Sequence, residues 1–305
     1  MDDGAFKELD AASYDELAEE YGRFIERLAA PLAVEACRLA GVAAGDRVLD
    51  IGCGTGIASR AAAAVVGASG SVVGVDLSTG MLAAAARRSE HELGRGVVRF
   101  ARMDAEDLAF EAGSFDAIVS LCAVLHFPRI DRALAEMRRV LRPGGALVVS
   151  FGSGRPSLPF ALAGYVARRA RSRMANRLRP EVRAPALLLR LADEELPEPV
   201  VDVLTSWAGK RPLRSLMQHV EAAGFENLRP SWLGHDVQFD SSAELWDAQV
   251  AIVTQARKRV TGADPLAVAR LREHFEVETT RVLSSGGRLV YPYGASFVRA
   301  VAPSS

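Results

Sequence analysis

The chain has 305 residues, 49% of them apolar, and a formal net charge of -1 at pH 7. This composition predicts a globular protein with an ample core, and the near-zero charge excludes a general attraction to nucleic acid or to an anionic membrane. The acidic start MDDGAFKELD is unlike a basic secretory signal, and no apolar run reaches the roughly 18 residues of a spanning helix, so we expect a cytoplasmic protein without a membrane partner.

Cysteine usage gives no sign of disulfide bonds or of a metal site. Cys37, Cys53 and Cys122 are odd in number and form neither a CxxC spacing nor a cluster with histidine. We therefore predict reduced thiols, with Cys53 and Cys122 as small apolar side chains, and no metal cofactor.

The first half of the chain predicts cap helices followed by an alternating core. Apolar residues recur at helical spacing from about residue 11, and Pro31 suits the first turn of a further helix, so residues 1–40 are predicted to be N-terminal cap helices. From 41 to 152 strands alternate with helices, which predicts a parallel sheet covered on both faces. The predicted strands are RVLDIG, SVVGVD, VVRFA, FDAIVSL and GALVVSFG.

The remaining residues are predicted to complete a single domain, 1–305, and to cover its open end. Residues 153–211 are predicted to be a helical lid insertion, and residues 241–285 a second helical insertion. Two extended segments within 212–240 and 286–305 are expected to complete the core.

A glycine-rich loop follows the first predicted strand. The strand ends at Asp50 and turns through Gly52, Gly54 and Gly56, which lets backbone approach a ligand closely. A dinucleotide loop would place a third glycine where Ile57 stands, and a P-loop would need a lysine that GIAS at 56–59 lacks. Asp50 disfavours a pyrophosphate but suits the ammonium and sulfonium groups of S-adenosylmethionine (SAM).

Two more acids follow the next two predicted strands. Asp76 ends VVGVD, where a carboxylate can accept from both ribose hydroxyls, although NAD sites use the same device. Asp104 follows the third strand, at the edge where it can accept from the exocyclic amine of adenine. Three acids at successive strand ends predict a SAM site.

Four motifs in order, VLDIGCGTG, GVDLSTGML, MDAEDLAFEAGSFDAIVS and MRRVLRPGGALVV, resemble the ubiquinone/menaquinone (UbiE-like) branch of class I SAM-dependent methyltransferases. The resemblance spans about residues 41–152. It implies a Rossmann-like, doubly wound, seven-stranded sheet whose last strand is antiparallel. Segments 226–239 and 288–302 would then be strands six and seven.

The resemblance also implies cofactor contacts, with SAM as cofactor and S-adenosyl-L-homocysteine (SAH) as product. Gly52 and Gly54 would contact the methionine part, Asp76 the ribose, Leu77 and Met81 the faces of adenine, and Asp104 with Ala105 its edge. Tyr21, ten residues before Pro31, would cap the methionine part, although Tyr14 replaces the tryptophan that the family commonly has seven residues earlier. Cys53 in the loop and Leu121 after strand four complete the predicted set.

Two histidines are candidate general bases. His126, in CAVLHFPRI after strand four, stands where acceptor and methyl group would meet, and a neutral imidazole could take a proton from a hydroxyl. A histidine that packs against a loop or lid fits that place equally well. His235 is a weaker candidate with Asp236, because one face of its predicted strand must be core. Core packing is the favoured interpretation of Tyr291 and Tyr293.

The predicted lid carries an arginine-rich run from Arg168 to Arg183. A solvated helix face explains it, although such a run would also suit a phosphate-bearing, carrier-tethered acceptor. The leucines at 187–189 and 191 are predicted to be lid core.

Methyl transfer from a sulfonium is an in-line displacement that needs alignment, exclusion of water and no metal. The sequence thus predicts a SAM-dependent methyltransferase acting on oxygen or carbon of a small apolar or aromatic natural product, or of a quinone-like acceptor, as a monomer or homodimer. The alternative within the same fold is a cyclase or other non-methylating biosynthetic enzyme. A non-catalytic partner subunit and an NAD oxidoreductase are two further hypotheses.

Overall fold

The structure is a computed structural model. It describes residues 2–153, 162, 165, 166, 170, 181–183, 186–196 and 212–304. Most of the predicted lid, including most of the arginine-rich run, lies outside the described residues.

Strands and helices alternate along the first half of the described chain, and helices dominate later. The strands are β1 (Arg47–Ile51), β2 (Ser71–Asp76), β3 (Val98–Arg102), β4 (Phe115–Ser120), β5 (Leu141–Gly152), β6 (Glu181–Arg183), β7 (Glu226–Phe239) and β8 (Arg288–Val301). The helices are α1 (Asp3–Asp15), α2 (Ala18–Ala40), α3 (Ile57–Val66), α4 (Thr79–Arg88), α5 (Glu90–Gly94), α6 (Ile130–Val140), α7 (Ala186–Glu195), α8 (Pro212–Ala222), α9 (Ser242–Ile252), α10 (Thr254–Thr261) and α11 (Pro265–Ser284).

The eight strands that the structure describes form one sheet in the order β3-β2-β1-β4-β5-β8, with β7 and the short β6 both paired to β8. Strands β1 to β5 are parallel, and β8 runs antiparallel to β5 and β7. The doubly wound sheet with an antiparallel last strand is therefore confirmed. The eighth strand, β6, was not predicted, because three residues are too few to show an alternating pattern.

Continuous apolar strands arise because both faces of the sheet are covered. In β4, Ile118 packs on the side of α6 and α8, whereas its neighbour Val119 packs on the side of α2 and α3, and both are fully buried. Successive side chains of a strand point to opposite faces, so each must be apolar here.

Helix α2 corrects the prediction that a new helix starts near Pro31, since it runs unbroken from Ala18 to Ala40. Proline removes one backbone hydrogen bond from a helix interior. Pro31 is exposed, so water can satisfy the freed carbonyl, while the neighbouring Leu28 and Leu32 are fully buried.

Helices α9, α10 and α11 form the segment between β7 and β8, and they share a second core with α7 and the start of β8. Leu188, Leu191, Trp246 and Phe275 are buried there. The predicted packing of the lid leucines is thus confirmed for Leu188 and Leu191. Among the helices that the structure describes, none is both long and apolar enough to span a lipid bilayer.

Candidate active site

The glycine loop follows β1 at the point where the strand order reverses, because β2 pairs with one side of β1 and β4 with the other. Gly52, Gly54 and Gly56 all have positive φ, of 67°, 52° and 79°. A Cβ on Gly52 would collide with the Cβ of Ala123, whereas a Cβ on Gly54 would meet no protein atom within 4 Å. Gly54 therefore borders open space, and a side chain there would displace a ligand rather than the protein.

Asp76 holds the loop in place. Its Oδ2 accepts from the Gly54 amide at 2.8 Å, and its Oδ1 accepts from the Ser78 amide at 2.9 Å. Burial raises the pKa of this carboxyl group, although those two amides counteract the rise. Each oxygen has lone pairs left for a ligand hydroxyl.

Asp50 lies deeper, at 1% exposure. Its Oδ2 accepts from the Ser59 hydroxyl at 2.6 Å, and burial raises its pKa to about 7. Its Oδ1 is buried and has no hydrogen-bond partner among the residues that the structure describes. An orphaned buried carboxylate oxygen beside a ligand cavity fits a cationic ligand group, as the methionine ammonium of SAM would supply.

Asp104 lies at the far end of the same row of strand ends. Its Oδ1 accepts from the Glu106 amide at 2.9 Å, and its Oδ2 accepts from the Lys7 ammonium at 2.8 Å. Lys7 also contacts the buried Glu106 carboxylate. Sequence reasoning did not predict Lys7.

These groups surround a cleft that continues into an adjoining cavity. The predicted residues that line the cleft are Tyr21, Gly52, Gly54, Asp76, Leu77, Met81, Asp104, Ala105, Leu121 and His126. Asp50 and Cys53 line the adjoining cavity, which shares Tyr21, Gly52, Gly54 and Leu121 with the cleft.

Helix α1 supplies one wall of the cleft through Lys7, Asp10, Ala11 and Tyr14. These residues follow the i, i+3, i+4, i+7 spacing of one helix face, so a stripe of functional side chains at helical spacing was the signal available in the sequence. Asp15 then fixes the end of α1, because its carboxylate accepts from the Ser78 hydroxyl at 2.6 Å and from the Gly80 amide at 2.8 Å.

His126 forms a polar cluster with α1. Its Nδ1 bonds the Asp10 Oδ2 at 2.8 Å, and its ring meets the Tyr14 ring edge-on at 5.8 Å. Burial lowers the pKa of His126, but Tyr14 and the bonded Asp10 carboxylate raise it, with a net value of about 9. At neutral pH His126 is therefore an imidazolium, which donates protons rather than accepting them.

Arg257 of α10 completes the cluster, with its guanidinium carbon 4.2 Å from the centre of the Tyr14 ring. The Tyr14 hydroxyl lies 3.2 Å from the Thr254 hydroxyl. Burial raises the pKa of Tyr14, but the positive charges of His126 and Arg257 outweigh burial and hold the pKa below its ordinary value. Sequence reasoning missed Arg257, because its helix has no pattern that points to the cleft.

The remaining candidates take other places. His235 lies on β7 opposite Tyr293 and is not among the residues that line the cleft or the adjoining cavity. Burial lowers its pKa. Burial raises the pKa of the Cys53 thiol well above its ordinary value and that of Cys122 to about 11, so both thiols are protonated, as predicted for apolar fillers. Tyr291 is buried in the second core, but Tyr293 borders the adjoining cavity.

The doubly wound sheet, the glycine loop and the acids along the strand ends define a class I SAM-dependent methyltransferase. Comparison with known proteins agrees, because the family model described as "Methyltransferase domain" matches residues 49–149. That stretch holds the loop and all three acids.

The chain belongs to this methyltransferase family. It is 30% identical over 234 residues to aklanonic acid methyltransferase DauC of Streptomyces sp. (strain C5), covering 76% of this chain and 98% of that protein. It is 38% identical over 139 residues to the ubiquinone/menaquinone biosynthesis C-methyltransferase UbiE of Teredinibacter turnerae, covering 46% of this chain and 55% of that protein.

Solved structures share the fold at low sequence identity. YcgJ from Bacillus subtilis superposes with a TM-score of 0.52 at 20% identity, covering 91% of this chain and 99% of that chain. The [4+2]-cyclase SpnF superposes with a TM-score of 0.50 at 22% identity, covering 91% and 82%. These likenesses concern the fold alone, so the cyclase gives no support for cyclisation by this chain.

Proposed function

We propose that the protein transfers the methyl group of SAM to an oxygen or carbon atom of a small aromatic acceptor, in the cleft between α1 and the carboxyl ends of the strands. The observation that carries this proposal is the cleft itself. Asp76 and Asp104, which follow two successive strands, line it together with the rings of Tyr14, Tyr21, His126 and Phe127, and Asp50 lines the adjoining cavity.

The cofactor would lie along the row of strand ends. Asp76 would accept from the ribose hydroxyls, Asp104 from the adenine amine, and the orphaned oxygen of Asp50 would face the methionine ammonium. Leu77 and Met81 would flank the adenine, with Ala105 at its edge. Gly52, Cys53, Gly54, Tyr21 and Leu121 would hold the methionine part. SAM supplies an activated methyl group when bound.

The acceptor meets that methyl group beside His126 and the tyrosines. Aromatic walls suit a planar acceptor, because stacking and edge contacts orient a flat ring. The names of two relatives, aklanonic acid methyltransferase and a ubiquinone/menaquinone C-methyltransferase, support an aromatic or quinone-like acceptor. The helical segment 241–285 reaches this wall through Thr254 and Arg257, which contact Tyr14, and it would help to exclude water.

Cofactor binding and turnover test the proposal. We expect isothermal titration to show one SAM or SAH site, and a panel of hydroxylated anthraquinones and naphthoquinones to give methylated product with one SAH per turnover. Acceptor conversion without loss of the SAM methyl group would instead favour the cyclase alternative. Absence of SAM and SAH binding would overturn the proposal.

Two glycine variants locate the cofactor. Gly54→Val should abolish SAM binding with the fold intact, because the new side chain enters the cleft. Gly41→Val is the matched control, since Gly41 also has positive φ and no atom within 4 Å of an added Cβ, yet lies outside the cleft. Equal SAM affinity of both variants would contradict this placement of the cofactor.

A further inference from the structure

The turn that follows strand β4 has a strained backbone at Cys122. The φ of Cys122 is 59°, and in the part of the chain that the structure describes Asn227 is the other residue besides glycine with a positive φ. A cysteine is disfavoured in this left-handed region, because its Cβ lies close to the following carbonyl oxygen. Strain of this kind persists where the surrounding structure holds it, and it is common at functional sites.

A buried serine on β5 holds Cys122 in this conformation. The Cys122 amide donates to the Ser150 hydroxyl at 3.0 Å, and that hydroxyl donates to the Ser120 carbonyl at 3.4 Å. Ser150 is fully buried and stands among the apolar residues of 146–151. A buried hydroxyl has to be satisfied by hydrogen bonds. The bond that satisfies this one also fixes the strained residue.

The turn formed by residues 121–123 lies between the glycine loop and His126. Ala123 packs directly on the loop, since a Cβ added to Gly52 would collide with the Ala123 Cβ. The Ala123 carbonyl accepts from the His126 amide at 2.9 Å, so the short helical turn that carries His126 begins at the same residue. Leu121 and Cys122 line both the cleft and the adjoining cavity. The conformation at Cys122 therefore determines where His126 lies relative to the glycine loop.

We propose that Ser150 is a positioning residue for methyl transfer. By holding Cys122 in the left-handed conformation, it sets the turn 121–123 against Gly52 and aligns the His126 side of the cleft with the methionine end of the cofactor. Ser150 is not among the residues that line the cleft or the adjoining cavity, so it acts through Cys122. The inference rests on the proposed function and adds to it a residue that touches neither ligand. Alignment matters because a displacement of about 1 Å can lower the rate of a reaction about 100-fold.

Four variants separate positioning from packing. Ser150→Ala removes the acceptor of the Cys122 amide, so the turn can relax. Ser120→Ala is the matched control, because Ser120 is also buried and ends the neighbouring strand, but its hydroxyl has no hydrogen-bond partner within the described part of the chain. Adding Cys122→Gly to Ser150→Ala should restore the turn, since glycine adopts a positive φ without strain. Adding Cys122→Ala instead removes the thiol but keeps the strain.

Turnover and cofactor affinity are the first pair of measurements. For the hydroxylated anthraquinone that wild type methylates fastest, we expect Ser150→Ala to lower kcat about 10-fold or more. Its affinity for SAH, measured by calorimetry, should change less than kcat does, because the glycine loop and the acids stay in place. Ser120→Ala should keep both values. Cys122→Gly in the Ser150→Ala background should restore most of the turnover, and Cys122→Ala should not.

The NMR resonance of His126 reports on the turn without any acceptor. The His126 ring meets the Tyr14 ring edge-on at 5.8 Å, so a displacement of His126 changes the ring-current shift that it experiences. We expect this resonance, identified with His126→Gln, to move in Ser150→Ala and to stay in place in Ser120→Ala. It should return towards its wild-type position when Cys122→Gly is added.

Several outcomes would overturn the inference. They are unchanged turnover or an unmoved His126 resonance in Ser150→Ala, an equal loss in Ser120→Ala, and equal recovery with glycine and with alanine at position 122. A loss of SAH affinity as large as the loss of kcat would also overturn it. Failure of wild type to bind SAH would instead overturn the proposed function.

Discussion

The hydrogen bond between His126 and Asp10 leads to a specific prediction about the pKa of His126. Replacing Asp10 by Asn keeps the shape of the side chain but removes the charge that faces His126 Nδ1 at 2.8 Å. Burial of the imidazole then acts with less opposition, so the pKa of His126 should fall from its value of about 9. The imidazolium would give way to neutral imidazole at a lower pH.

The size of the effect follows from the geometry. A hydrogen bond to a charged group contributes about 1.5 to 3 kcal/mol, so Asp10→Asn should weaken the proton affinity of His126 about 10- to 100-fold. The pKa of His126 is raised in the folded state, so its stabilisation is fully present below about pH 6.5 and is lost as pH rises through about 9. The wild-type free energy of unfolding should therefore fall by up to about 3 kcal/mol from this group across that window.

Histidine-selective NMR titration measures the pKa directly. The protein has five histidines, and His126→Gln identifies the resonance of interest. Urea unfolding of wild type and Asp10→Asn at the two ends of the pH window measures the linked stability, and Asp10→Asn should show the smaller loss. Wild-type His126 titrating near its ordinary pKa, or an unchanged titration in Asp10→Asn, would refute the reasoning.

Other regions of the cleft give further predictions. If His126 acts as an imidazolium, the rate of methyl transfer should decline as pH rises through about 9. A rate that increases over this range would mark His126 as a neutral base. Lys7→Met should weaken SAM binding by roughly 10-fold in a calorimetric titration, because Asp104 and Glu106 lose the cation that they share and α1 loses its ion pairs with them. An unchanged affinity would place α1 away from the adenine. Gly80→Ala should lower the melting temperature, because its Cβ would lie 2.5 Å from the Asp15 carbonyl oxygen, and an unchanged melting temperature would show that α1 does not rest there.

Local patterns predicted which acids and glycines would lie together around the cleft and its adjoining cavity. The acids and glycines stand at strand ends, and parallel strands bring their carboxyl ends to one edge, so Asp50, Asp76 and Asp104 had to lie in a row. The strand β7 was predicted with its observed bounds, because a long extended run between turns can be recognised from the sequence.

The acceptor half could not be predicted in the same way. Asp10, Tyr14 and Arg257 meet His126 only through tertiary packing, with sequence separations of up to about 240 residues for the contact of Arg257 with Tyr14. The raised pKa of His126 could not be predicted either, because the Asp10 carboxylate that raises it belongs to helix α1, whose functional stripe was not noticed. The prediction of a helix start near Pro31 was wrong for a local reason. A proline on the solvent-exposed side of a long helix destabilises that helix less than proline usually does.

Helix α2 belongs to two cores at once. Phe24 and Leu28, in its first half, pack with α7, α9 and α11, whereas Leu32 and Ala36, in its second half, pack with α3 and the sheet. Tyr21, one turn before Phe24 on the same helix, borders the cleft. A single helix thus connects the helices on the acceptor side to the sheet that carries the cofactor. A tilt of those helices would therefore move Tyr21 relative to the sheet. We expect the shape of the acceptor to affect how the methionine end of SAM is bound.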